Sequence, residues 1–132
     1  MCASEEALQM LQMAHKDLKA LRAMTDEDAF DTEIFGFHAQ QATEKAAKAW
    51  LTLLGLAYPK VHDLEALLDQ LAENGQCISV DFRRLEDLTD FGVQFRYTAF
   101  TNLPEDFSRQ VVTALVTAFV DHVATMVAAA QD

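Results

Sequence analysis

Apolar side chains recur along this chain at helical spacing, and polar stretches separate the runs. Ala7, Leu11, Ala14, Leu18 and Leu21 repeat every three or four residues. They predict a first helix from Ser4, as N-cap, to about Ala23, with Glu5 and Glu6 in its positive first turn. After the polar connection MTDEDAFDT, a second helix is expected from about Phe30 to Leu54, stopped by Gly55. Pro59 keeps LAYPKVH out of a helix. His62 or Asp63 opens a third helix, with Leu64, Leu67, Leu68 and Leu71 on one face and Asn74-Gly75 at its end. A fourth runs roughly from Val80 to Arg96, through Phe82, Leu85, Leu88 or Thr89, and Val93, with Gly92 as the point where it can bend. A fifth is expected from about Pro104 to Ala129, with Pro104, Glu105 and Asp106 at its start. Its apolar stripe reads Val111, Leu115, Ala118, Phe119, Val123 and Met126. With no strand pattern, repeat or low-complexity tract, the expectation is all-α: one domain over residues 1–132, an up-and-down, mostly antiparallel bundle of about five helices.

The second helix carries two patterns at once. At about 100° per residue, Phe35, Ala39, Ala42, Ala46, Ala49 and Leu53 share a narrow arc, with Trp50 at its edge. The alanines form a low ridge on which a neighbouring helix can approach closely. A second arc holds His38, Gln41, Lys45 and Lys48 at spacings of three, four and three. Glu44 lies beside it, four residues before Lys48, in the favourable order for a helical ion pair. This stripe adjoins the alanine ridge, so some of its groups should be partly covered by another helix or subunit. Two readings fit it. One is a solvated face whose lysine stems cover apolar surface. The other is a small anion or partner site, in which lysines supply charge and glutamine supplies directed hydrogen bonds.

Composition sharpens the contrast. The chain has 132 residues, half of them apolar, with a formal net charge of −11. That length and content suit one globular core. Such a negative surface repels phosphate backbones and anionic bilayers, so broad nucleic-acid or membrane binding is not expected. A local basic pocket remains compatible with one nucleotide or one RNA site. Cys2 and Cys77 form no metal spacing and read as reduced thiols of a cytoplasmic protein. The N-terminus lacks a secretory pattern, and no uncharged apolar run of about 18 residues suggests a membrane span.

The remaining chemistry is sparse. His15, His38, His62 and His122 form neither a Glu-x-x-His pair nor an H-E-x-x-H motif, so no metal or other cofactor is expected. His122 shares the stripe of Leu115, Phe119 and Met126 and reads as a core or interface histidine. His62 reads as a cap or loop anchor and His15 as a surface residue. There is no glycine-rich phosphate loop and no nucleophile signature. After the fourth helix, Arg96 and Tyr97 offer a guanidinium and a phenol suited to an anion, or simply a packed helix end.

Three pieces together resemble the HEPN family: FHAQQATEKAAKAWL (Phe37 to Leu51), HDLEALL (His62 to Leu68) and Arg96-Tyr97. The resemblance spans nearly the whole chain, and its specificity lies in the order and spacing of the three. It implies a helical bundle, usually a homodimer, in a prokaryotic cytoplasmic protein often encoded beside a small nucleotidyltransferase in a toxin–antitoxin type module. It also implies a nucleotide-binding or partner-binding group made of His38, Gln41, Glu44, Lys45, Lys48, His62, Arg96 and Tyr97. The RNA-cleaving branch of the family carries an arginine followed four to six residues later by a histidine. No arginine of this chain has one there, which favours a non-catalytic role. An RNA-cleaving toxin with rearranged residues and a purely structural dimer are the alternatives. Val112, Val116 and Val120, beside the main stripe of the fifth helix, are the apolar surplus that a dimer would cover.

Overall fold

A computed structural model describes residues 2–93, 103 and 106–131. The described residues are helical and contain no strand, in keeping with the all-α bundle expected. Three long helices form its centre: α1 (Ala3–Ala23), α2 (Thr32–Leu53) and α6 (Arg109–Ala130). Between α2 and α6 come α3 (Leu64–Glu73), α4 (Val80–Arg83), a 3₁₀ stretch (Arg84–Leu88) and α5 (Thr89–Val93).

Contacts at the helix ends set their directions. The Gln131 amide donates to Ser4 O at one end, and Arg109 reaches Met24 O at the other, so α1 and α6 are antiparallel. Asp17 meets His38 and Lys45 while Met10 meets Thr52, so α1 and α2 are antiparallel as well. The core is built from the expected stripes of α1 and α3 and from the alanine ridge of α2, with Trp50 and Phe119 filling its centre.

Both expected glycine stops are present. Gly55 and Gly75 have φ of 74° and 85°, the left-handed region that spares glycine the Cβ clash. At each, the glycine N–H and the next N–H turn back onto the helix: Gly55 to Thr52 O and Leu56 to Leu51 O, Gly75 to Ala72 O and Gln76 to Leu71 O. Asp63 caps α3 by accepting from Glu65 N.

Several boundaries differ from expectation. Cys2, not Ser4, is the N-cap of α1, and Asp31 precedes an α2 that starts at Thr32. The fourth helix is broken into three pieces, with a break at Arg84–Leu88, and its expected end at Arg96 lies outside the described residues. Phe82, Leu85, Leu88 and Phe91 are spaced by three, and a 3₁₀ turn of three residues stacks such a row on one line. Leu85, Leu88 and Phe91 are buried. The last helix starts at Arg109, with Ser108 accepting from Val111 N. Asp106 and Phe107 precede it, and Pro104 and Glu105 lie outside the described residues.

The core face of α6 is also turned by one position. Val112, Val116, Phe119, Val120, Val123 and Val127 are buried, whereas Val111, Leu115 and Met126 are half-buried and Ala118 is exposed. The three valines expected to need a second subunit are therefore covered within the bundle. By length and composition α6 could cross a membrane, although Asp121 interrupts its apolar run. Here its valine face is spent on the core.

Arg109 fixes the α1–α2 connection. Only 3% exposed, it donates to Met24 O, Asp26 O and Phe30 O at 2.8, 3.3 and 2.7 Å and lies over the Phe35 ring. A buried guanidinium is tolerated because backbone carbonyls satisfy it.

Candidate ligand site on the second helix

The polar stripe of α2 is half-buried at the helix boundary, as its angular position suggested, and it resolves into two linked groups. The first gathers on Asp17 of α1, itself only 9% exposed. One carboxylate oxygen meets His38 Nδ1 at 3.0 Å, and the other accepts from Lys45 Nζ at 2.6 Å. Asp17 follows Ala14 by three residues, so it comes off the edge of the buried face of α1 and meets α2 across the seam.

The second group gathers on Glu44, which is 5% exposed. Its Oε1 accepts from the Gln40 amide at 2.9 Å and meets His62 Nδ1 at 2.7 Å; its Oε2 accepts from Lys48 at 3.1 Å. Burial alone would push the Glu44 carboxyl up. The hydrogen bonds from Gln40, His62 and Lys48, with the Lys48 charge, outweigh it and hold the group below the ordinary carboxylate value. Gln40 is fully buried and also donates to His62 O, so one side chain fixes both the carboxylate and the loop that opens α3. Gln41 donates to the Gln40 oxygen at 2.7 Å, which makes it a support of the network. Lys48 Nζ additionally sits 5.3 Å from the centre of the Tyr58 ring.

Close packing delivers α5 to this network. A Cβ on Gly92 would fall 2.3 Å from Gln40 Cδ, and one on Gly36 would fall 2.2 Å from the Phe91 ring. Each glycine is the socket for a side chain of the other helix, and only glycine fits either socket. Thr89 adds a tie by accepting from Leu64 N.

Of the residues the sequence singled out, His38 and Lys45 meet on Asp17, and Gln41, Glu44, Lys48 and His62 meet around Gln40 and Glu44. Arg96 and Tyr97 lie outside the described residues. Sequence reasoning missed Asp17 and Gln40, the two buried organisers. Gln40 had one signal, its position four residues before Glu44. His122 is exposed and stacks against Trp50 and Phe82, with ring centres 5.1 and 5.8 Å apart, so it is not a core residue. His62 is an anchor of its loop, and His15 is exposed.

Chemically, two ammoniums balance two carboxylates, and two imidazoles are oriented through Nδ1. This belt of paired groups can present lysine N–H groups to an anion. Among the described residues no group of three or more His, Cys, Asp or Glu side chains is placed to hold a metal ion.

Comparison with curated proteins and with solved structures yields no match. The HEPN domain family, however, matches residues 7–119, from the first core alanine of α1 to Phe119 in α6. That stretch contains every element of the belt, and the chain belongs to the HEPN domain family.

Proposed function

We propose that this HEPN protein acts by binding: the belt on α2 holds the anionic group of a nucleotide, in a homodimer that works beside a nucleotidyltransferase partner. The observation that carries this reading is the concentration of His38, Lys45 and Lys48 on one half-buried face of α2, with the exposed His62 joined to it through Glu44, in a chain with a formal charge of −11. Each lysine donates one N–H to a carboxylate, and an ammonium has three. Capacity for an anion remains without breaking either pair. Titration of ATP, GTP and AMP against wild type and Lys45→Ala/Lys48→Ala tests it. Binding by wild type with at least about tenfold weakening in the variant supports the reading. Equal weak binding by both takes the belt out of it.

A second reading follows from the same ion pairs: the belt is structural and ties α1, α2 and the α3 loop together. It predicts that the double variant loses stability while wild type binds none of the three nucleotides.

For dimerisation, the supporting surface is the outer side of α6. Val111, Leu115, Ala118 and Met126 are incompletely covered there, on a helix whose only carboxylate is Asp121. Two copies of a strongly negative chain meet with least repulsion along such a face.

A further inference from the structure

The stripe of α2 does not end at Lys48. Four residues on, Thr52 continues it and lines a shallow groove of about 350 Å³ between the start of α1 and the end of α2. Glu6 and Met10 form the α1 side, and Leu56 and Tyr58 form the α2 side. We propose that this groove is the subsite for the planar ring of a monophosphorylated ligand whose anionic group lies on Lys48 and Lys45. The proposal rests on the belt holding an anion.

Tyr58 joins the two places. Its ring lies beneath the Lys48 ammonium, and its hydroxyl donates to Met10 Sδ at 3.7 Å; Thr52 donates to the same sulfur at 3.4 Å. The thioether is thereby pinned as a polarisable floor, a surface on which aromatic rings pack well. Gly55 also lines the groove, and nothing lies within 4 Å of where its Cβ would be. The backbone turn that ends α2 thus leaves the space open. The volume lies at the small end of the range for small-molecule sites, room for one ring system. At the outer rim, exposed Glu6 is an acceptor for an amino group on that ring.

Charge selects the rest of the ligand. Two carboxylates already balance the two lysines, and the whole chain is at −11. Each further phosphate on a ligand therefore adds repulsion that the belt does not offset. A nucleoside monophosphate fits better than a triphosphate.

The test uses the full chain labelled with ¹³C-methyl methionine, in which five methionines give separate signals and Met10→Leu assigns Met10. AMP, ribose 5-phosphate and ATP are titrated in turn. The expected result is an upfield shift of the Met10 methyl with AMP but not with ribose 5-phosphate. AMP should bind about tenfold tighter than ribose 5-phosphate, the gain of one stacked base, and tighter than ATP. Ala57→Trp, a change at an exposed groove residue, should reduce AMP to the ribose 5-phosphate level. Equal binding of AMP and ribose 5-phosphate with a stationary Met10 methyl overturns the groove and leaves the anion site standing. Tighter binding of ATP than AMP overturns the charge argument. Absence of binding by all three overturns the anion site itself.

Discussion

The Gln40 amide rests directly on the backbone of Gly92, leaving no room for even a methyl group between α2 and α5. That contact holds a buried amide in the position from which it bonds both Glu44 and His62 O. Gly92→Ala should therefore displace Gln40 and cost about 1–3 kcal/mol, the usual range for overpacking a tight site. Chemical denaturation measures the loss, and the His62 imidazole NMR signals should shift with it. A Gly92→Ala protein with wild-type stability and unchanged His62 signals would mean that α5 yields easily at this point.

Glu44 makes the belt sensitive to acid. Its folded-state pKa lies below the ordinary value, so its stabilisation is full above the unfolded value of about 4.3. That stabilisation is lost as pH falls through the lower folded value. Glu44→Gln should cost about 1–3 kcal/mol at neutral pH, because Lys48 and His62 lose a charged acceptor. The gap between the two proteins should narrow below about pH 4 as the wild-type carboxyl protonates. Urea unfolding of both proteins across pH checks the sign. A gap that widens in acid contradicts it.

Arg109 should be the most sensitive charged residue outside the belt. Arg109→Lys keeps the charge but cannot span Met24 O, Asp26 O and Phe30 O with one ammonium. About 2–3 kcal/mol of stability should go with the unpaired carbonyls, seen as a lower thermal midpoint with helical content retained. Arg83→Lys, at a more exposed ion pair with Asp69 and Glu86, is the comparison and should cost less than about 1 kcal/mol.

Assembly through α6 gives a separate expectation. Wild type should sediment as a dimer at micromolar concentration, and Leu115→Glu should sediment as a monomer with unchanged circular dichroism. A monomeric wild type removes the α6 face from the account.

The parts that were legible in the sequence share one property: their signal is local. Gly55 and Gly75 announce the ends of α2 and α3 because a left-handed residue is needed there. The alanine ridge and the adjoining polar stripe follow from angle alone. The three-residue spacing of Phe82, Leu85, Leu88 and Phe91 carried the 3₁₀ break, but a helix-period reading absorbs such a row. On α6 the phase was not legible. Apolar residues cover more than half of the helix's circumference, with Gln110, Thr113, Thr117, Asp121 and Thr125 on the rest, so Val111 and Val112 both qualify for the core until α1 and α2 are in place. Asp17 and Gln40 are organised by partners distant in sequence: 28 residues separate Asp17 from Lys45, and 22 separate Gln40 from His62.

The central claim, that the belt binds an anionic ligand as well as tying helices together, is tested most directly by mapping backbone amide shifts as AMP is added. The predicted result is a contiguous set of saturable changes at Asp17, His38 to Lys48, Thr52 and Tyr58, abolished in Lys45→Ala/Lys48→Ala. Changes confined to other helices, or none at saturating AMP, would contradict it and leave the belt a structural tie.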